Sequence, residues 1–564
     1  MTVTDMKRQS STLEPRHALN APASGAPAPG GRWYAWTAWA VTLLAMAFIG
    51  LIAVVSAQLI YCNFGWENGG LDYKWWSAYP LYGAAAALGA VVGVVAVGRF
   101  LTWANRRIGS LAFLIGLLVL AGGLRVACVT AVPYKPSRDF ARFHESGAKM
   151  ARDWTLGIHA DSRNKSYRCF FPPGQVFSLG VLYSLTGAAD KATWNESHGL
   201  LLAQLWNALQ GTLTVLGIYY LGRRFFSEQV GRIAGVLAAL LPSSIFGCML
   251  LGAEVPEAFW LVAALCVYAR WMYVEPGAQA DVKQPRLRTI LIAGALCGVL
   301  LAMGMYVRPT YMLLPFVLGV HMLLSWRAKR HALAAAAVMT LGLALSLAPW
   351  TFRNYLATGG GFVLISSNGG GNLYSANNPW ARGDYNDRAW RELYANGPDD
   401  VSLDWYGKQK AKEWILAHPG DFLRLSLRKF VLFWHTDKEV AWWALGCPRE
   451  DFGHEGFGVS DATRVLGEGG STGFYAVLFP LGLVGLLRNR RALLARRSWI
   501  LILLLCMYFT AIHMVFESQG KYHFMLVPLL CLLAALAGWS SRSDGEAAAP
   551  KVDRQDVPES QLDI

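Results

Sequence analysis

A helix that crosses a bilayer needs about 20 mostly apolar residues, and roughly a dozen stretches of this chain qualify. They fall at about 36–60, 79–99, 110–132, 200–222, 231–251, 255–274, 288–306, 310–326, 331–350, 472–488, 498–516 and 522–541. So many apolar runs exclude a large water-soluble core. A composition that is 54% hydrophobic and only 16% charged over 564 residues agrees with solvation by lipid. The expected fold class is an all-α polytopic membrane protein with about twelve transmembrane helices.

The net charge of +14 does not form one basic face suited to nucleic acid; the Lys and Arg residues sit in short clusters between apolar runs. Short cytoplasmic loops concentrate such residues. Arg99/Arg106/Arg107, Arg223/Arg224/Arg232, Lys283/Arg286/Arg288, Arg327/Lys329/Arg330 and Arg488/Arg490/Arg491/Arg496/Arg497 all lie inside if residues 174–187 do not span. That segment is therefore expected to be amphipathic and to lie on the outer surface.

The resulting organisation is a disordered cytoplasmic tail (1–32), two additional N-terminal transmembrane helices (33–109), a transmembrane core (110–350) that includes an outer loop at 133–199, a large outer loop (351–471) with amphipathic helices, C-terminal transmembrane helices (472–542) and a disordered cytoplasmic tail (543–564). The first tail lacks the apolar region and cleavage site of a signal peptide. Both termini are expected in the cytoplasm, with the chain in a bacterial inner membrane. The two long outer segments exceed what a connector needs, so chemistry is sought there.

Six of the nine cysteines, Cys128, Cys248, Cys266, Cys297, Cys506 and Cys531, fall inside apolar runs as small hydrophobes. Cys62, Cys169 and Cys447 belong to the outer face, where one disulfide among them is left undecided. No Cys or His spacing matches a zinc site.

Polar residues at the edge of a bilayer are costly and are usually paired or functional. Asp139 stands just beyond the run at 110–132, beside Arg138, Arg142, His144 and Glu145; its position suits a catalytic base, and a solvated loop charge explains it equally. Glu254 and Glu257 flank Val255-Pro256 at an outward turn, where a helix start also favours Pro and Glu. Arg308 precedes Pro309 on the same side, a phosphate contact or a snorkelling side chain. Arg353 and Asn354 open the large outer loop, and Glu517 to His523, with Lys521 and Tyr522, forms a charged outer turn. Phe170-Phe171-Pro172-Pro173-Gly174 is a rigid turn that would shape a pocket floor, and Gly369-Gly370-Gly371 is either an anion-binding turn or a flexible one. Trp154, Trp380, Trp390, Trp405 and Trp414 suit sugar stacking or, better, anchoring at the membrane interface.

The order Arg-Asp-Phe-Ala-Arg-Phe-His-Glu from Arg138, Phe-Pro-Pro-Gly from Phe171, Glu254, Val-Arg-Pro from Val307 and Pro-Trp-Thr-Phe-Arg-Asn-Tyr from Pro349 resembles the GT-C membrane glycosyltransferases. The likeness is to the bacterial branch of protein mannosyltransferases and lipid A aminoarabinose transferases, over about residues 110 to 540. It implies that Asp139 is the catalytic base, that Arg308, Arg353 and Lys521 hold the phosphate of a polyprenyl-phosphate sugar donor, and that a lipid, glycan or protein is the acceptor. Glu254, Glu257, His144, Asn354, Tyr522 and His523 are the expected supporting residues. A divalent cation, Mg or Mn, bridging Asp139 or Glu254 to the phosphate is left open, since the sequence offers no dedicated cage. The chemistry agrees: an acceptor hydroxyl needs a base, and a leaving phosphate needs positive charge rather than a general acid. Two other classes share the topology: a transporter or lipid-linked sugar flippase, and a surface-glycan polymerase or ligase.

Overall fold

The computed structural model describes residues 108–154, 160–162, 165–188, 196–274, 286–446, 459–495 and 497–539. The expected spans at 36–60 and 79–99, both tails, Cys62 and Cys447 lie outside the described residues. Two hydrophobic cores organise the rest. The larger is a bundle of apolar helices, and the smaller is built from the two long segments between them.

Five described helices are long and apolar enough to cross a membrane: α1 (Ser110–Ala131), then Leu287–Val307, Lys329–Ala357, Ala462–Arg488 and Ser498–Val515. Two further expected spans form helices of comparable length that carry more polar residues, α4 (Glu196–Phe225) and α7 (Glu254–Trp271). The remaining three are shorter or broken. The stretch 310–326 is a 3-10 turn followed by a helix at Leu314–Ser325, and 522–541 holds a helix only at Val527–Ala535, flanked by 3-10 turns.

The third, 231–251, divides into α5 (Glu228–Leu240) and α6 (Pro242–Gly247). Pro242 has no N–H, so the helix cannot continue through it and the preceding carbonyls lose their donors. The structure supplies others. Arg125 of α1, fully buried, donates to the carbonyls of Ala238 (3.3 Å) and Ala239 (3.4 Å) and to Ser244 Oγ (2.9 Å). Gln204 and Asn207 of α4 donate to the carbonyls of Met249 and Leu250, and Gln175 to that of Leu251. Irregular backbone survives within a bundle when protein groups satisfy it.

The first long segment contains α2 (Arg138–Asp153), a hairpin of β1 (Ala160–Ser162) against β2 (Lys165–Tyr167), and α3 (Gly174–Thr186). The antiparallel hairpin pairs Ala160 with Tyr167, a small departure from the all-helical expectation that lets a loop satisfy its own backbone groups. α3 does not lie free on a surface. Its Val176, Leu179 and Tyr183 are buried, and a Cβ at Gly174 would lie 2.7 Å from the backbone of Tyr306. That closeness seats α3 against the end of α8 (Leu287–Val307).

After α9 (Leu314–Ser325) and α10 (Lys329–Ala357), the second long segment folds into α11 (Gly369–Ser375), α12 (Asp387–Asn396), α13 (Asp400–Ala417), α14 (Pro419–Trp434) and α15 (Lys438–Leu445). The three glycines beginning at Gly369 are neither a loop nor an anion cradle. They form the first turn of α11, where Gly370 N donates to Asp404 Oδ1 (2.7 Å), and a Cβ at Gly370 would collide with the Asp404 carbonyl. Phe170 and Phe171 pack with Trp390, Tyr374 and Leu403 in the smaller core, so the Phe-Phe-Pro-Pro turn fills a core rather than flooring a pocket. Asp400 joins the two segments through Arg168 N (2.6 Å), Cys169 N (3.0 Å) and Ser367 Oγ (2.7 Å). The chain closes with α16 (Asp461–Arg488), α17 (Arg490–Ala495), α18 (Ser498–Val515) and α19 (Val527–Ala535).

One end of the bundle gathers basic chain ends. Ser498 Oγ reaches the Phe225 carbonyl, Arg224 that of Tyr273, Trp326 that of Met272 and His321 that of Arg497. The opposite ends of the same helices carry Glu254, Arg308 and Glu517.

Candidate active site

Three helix ends build the centre of the site. α7 begins at Glu254, and acids in a first turn are favoured by its free backbone donors. α8 stops at Val307 because Arg308 adopts an extended conformation before Pro309. Arg308 then forks between two carboxylates: Nη1 lies 2.6 Å from Glu257 Oε2 and Nη2 lies 3.3 Å from Glu254 Oε1. Thr310 Oγ1 (3.3 Å) and the Tyr311 hydroxyl, on the Glu257 carbonyl (2.5 Å), complete the Glu257 shell. Glu254 Oε2 is buried and has no hydrogen-bond donor.

The third end is α18. Beyond Val515 the chain runs through Glu517 into a 3-10 turn at Gly520–His523. Glu439 of α15 accepts from Gly520 N (2.9 Å) and Lys521 N (3.1 Å), fixing the turn. Tyr522 places its ring 5.1 Å from the Arg308 guanidinium and 5.5 Å from Lys521 Nζ, so both cations share one aromatic face system. The buried Glu517 accepts from the Tyr522 hydroxyl (3.0 Å) and from Gln519 Nε2 (3.1 Å). Burial pushes the Glu517 carboxyl up to about 7, against the opposing pull of Lys521 and of the Tyr522 hydrogen bond.

Asp139 occupies the first turn of α2 and is exposed, with Arg142 Nη1 3.3 Å away. Arg138, directly before it, holds a left-handed backbone (φ 50°), a conformation that a non-glycine residue adopts at a cost. Phe140, directly after it, connects the site. Its ring meets Trp443 of α15 edge-on at 5.8 Å, and on its other flank a Cβ at Gly252, two residues before Glu254, would lie 2.8 Å from it. Asp139 also contributes to the field at Glu517.

The other expected site residues occupy different surroundings. Arg353 Nη1 donates to the Arg168 carbonyl (3.1 Å) and to Asn354 Oδ1 (3.1 Å), with its guanidinium over Trp350. The buried Asn354 donates to the carbonyls of Val363 and Ile365, holding the turn after α10. His144 is buried against the Tyr183 hydroxyl (2.8 Å). His523 lies in the interior, stacked on Tyr475 (4.7 Å) and beside Asp437 (3.3 Å). Cys169 is a free thiol that burial pushes up to about 11.

Sequence reasoning did not single out Glu517, Glu439 or Phe140 for the roles they take. Glu517 opened a turn already noticed for its charge. Phe140 stood only inside the run that begins at Arg138, and Glu439 carries no signal outside the tertiary structure.

Among the described residues, no group of three or more His, Cys, Asp or Glu side chains is placed to hold a metal. Glu254 and Glu257 instead share a guanidinium, and Asp139 pairs with Arg142. These residues do not fit a cation cage.

No family model matches the chain. Over 202 residues it is 29% identical to the dolichyl-phosphooligosaccharide-protein glycotransferase 3 of Archaeoglobus fulgidus, a match covering 33% of this chain and 22% of that protein. Among solved structures it is similar to the archaeal oligosaccharyltransferase AglB of Archaeoglobus fulgidus in complex with an inhibitory peptide and a dolichol-phosphate, at 16% identity and a TM-score of 0.45. That match covers 77% of this chain and 50% of the other. It is also similar to ArnT of Cupriavidus metallidurans bound to undecaprenyl phosphate, at 12% identity and a TM-score of 0.36, covering 80% and 82% of the two chains. The chain thus spans about half the length of the oligosaccharyltransferase it matches.

Proposed function

We propose that the chain is an inverting membrane glycosyltransferase that moves a hexose or pentose from a polyprenyl-phosphate donor to a hydroxyl on a lipid, glycan or protein acceptor at the outer membrane face. The supporting observation is that an exposed carboxylate, Asp139, acts on Glu517, the acceptor of the Tyr522 hydroxyl, while the Tyr522 ring carries two cations, Arg308 and Lys521, and Phe140 beside Asp139 reaches Gly252 near Glu254.

In this reading Asp139 takes the acceptor hydroxyl proton as the oxygen attacks the anomeric carbon. The phosphate leaves from the opposite side with the bonding electrons, which inverts the centre. Its charge is met by Lys521 and by the remaining N–H groups of Arg308. Glu254 and Glu257 hold the Arg308 fork in one orientation, which a freely rotating side chain would lack. Arg353 is assigned a more distant role, because its hydrogen bonds tie the start of the large segment to Arg168.

The chain is further proposed to have about twelve spans, two of them before α1, with both termini cytoplasmic. The transporter reading would place substrate at a broken helix. The break at Pro242 is already filled by Arg125, Gln204 and Asn207.

The test is reconstitution with labelled polyprenyl-phosphate sugars. Wild type transfers label to an acceptor, while Asp139→Asn binds donor with little change and does not turn over. Turnover retained in Asp139→Asn, with loss in an outer-loop Arg or His variant, would instead favour a glycan polymerase or ligase.

A further inference from the structure

We propose that Glu517 is a positioning residue for the donor phosphate, acting through Tyr522 to hold the Arg308 guanidinium in place. The inference rests on the glycosyltransferase reading above.

The Tyr522 ring is fixed by two contacts. Its hydroxyl donates to Glu517 Oε1 (3.0 Å). Its ring is stacked on His513 at 4.6 Å with the planes 14° apart. His513 in turn is tied through Nδ1 to the Glu517 backbone carbonyl (2.7 Å). Glu517 therefore holds Tyr522 twice, directly through its carboxylate and indirectly through its carbonyl.

The backbone around Glu517 is itself anchored. Ser518 N donates to the Gly383 carbonyl (2.9 Å), and Ser518 Oγ to that of Lys429 (2.8 Å). The ring also carries Arg308 and Lys521. Without an acceptor at position 517 the buried hydroxyl would lose its partner, and the ring would turn away from stacking geometry to find another. Arg308 would keep its two carboxylates and lose the surface that sets the tilt of its free N–H groups.

The geometry separates this role from general packing. Gln at 517 keeps an acceptor oxygen of the same reach, whereas Ala removes it and Tyr522→Phe removes the matching donor.

The experiment measures binding of undecaprenyl phosphate to the full-length protein in detergent micelles. Glu517→Ala and Tyr522→Phe each weaken binding on the order of tenfold, the size of effect expected when a desolvated cation–π contact is lost. The double variant binds no worse than either single one, and Glu517→Gln restores most of the affinity. In transfer assays the same variants raise the donor KM more than they lower kcat.

Unchanged affinity in both Glu517→Ala and Tyr522→Phe overturns the inference. Additive losses do so too, as does a Glu517→Gln variant as weak as Glu517→Ala. If Glu517→Ala does not fold, Tyr522→Phe and Glu517→Gln carry the comparison alone. Wild type that does not bind undecaprenyl phosphate refutes the donor reading itself. Wild type that binds, with indifferent variants, refutes only the role of Glu517.

Discussion

Arg308 balances two buried carboxylates on one guanidinium, so the three residues stand or fall together. Removing one partner of a buried ion pair leaves charge without compensation, a loss of about 3–5 kcal/mol. Arg308→Ala is expected to lower stability by that amount, measured by thermal or denaturant unfolding, and to abolish donor binding. Arg308→Lys keeps the charge but cannot fork, so its loss should be smaller in stability than in binding.

At the same scale, Glu517 makes stability depend on pH with a definite sign. Burial lifts its carboxyl from the ordinary 4.5 to about 7, so the folded chain holds this proton more tightly than the unfolded one. Its contribution is complete below pH 4.5 and disappears as pH rises through 7. Lys429, buried and bonded to Asn377 Oδ1 (2.8 Å), is pushed from 10.5 down to about 7 by burial. Its contribution is complete above pH 10.5 and is lost as pH falls through 7. Wild type should lose stability relative to Glu517→Gln between pH 4.5 and 7, with no further change on either side of that window. Melting curves of the two proteins across that range are the check.

At the scale of elements, glycines set how closely helices approach. Gly370 of α11 has the Asp404 carbonyl of α13 where a Cβ would stand, and Gly407 of α13 faces Gly370 in the same way. Gly370→Val should destabilise the smaller core by about 1–3 kcal/mol, the usual range for overpacking, and should increase proteolysis of the long segment between α10 and α16. A control at Gly420, which has open space around it, should be silent in the same digestion.

This crossing also shows why parts of the chain were readable in sequence and parts were not. Long apolar runs such as 110–132 and 498–516 announced α1 and α18, because lipid demands a fixed length. The run at 231–251 was equally apolar, yet Pro242 broke it. A break within a bundle is stable only if distant donors arrive, and Arg125, Gln204 and Asn207 lie far away in sequence. The three glycines from Gly369 read as a flexible turn because only α13 reveals the space they leave. Glu254, Glu257, Arg308 and Lys521 were legible as polar residues at the ends of apolar runs. Their pairing was not, and neither were the contacts that Arg353 and Asn354 of α10 make with Arg168, Val363 and Ile365.

At the scale of the whole molecule, the two ends of the bundle differ in chemistry. Basic chain ends near Arg224, Arg327 and Arg497 mark one, and Asp139, Arg308 and Glu517 the other. A membrane-impermeant thiol reagent applied to intact cells should label a cysteine introduced at Trp405, which is exposed on α13. It should label one at Arg330 only after the cells are opened. The background for both has Cys62, Cys169 and Cys447 replaced. Labelling of both positions from the same side would overturn the proposed topology.

The arginine in α1 has a consequence for biogenesis. An arginine at the centre of a membrane helix disfavours insertion by about 2.5–3.5 kcal/mol, and Arg125, in the second half of α1, weakens the insertion of that helix alone by up to this amount. Arg125 donates to the Ala121 carbonyl of α1 itself, and its two other carbonyl acceptors lie 113 and 114 residues later in the chain. The ribosome must therefore synthesise the whole first long segment, α4 and α5 before those two acceptors exist. During that interval α1 has to wait at the insertion machinery or beside a helper protein. Truncations ending before Ala238 should leave it crosslinkable there, and truncations ending after Ser244 should release it.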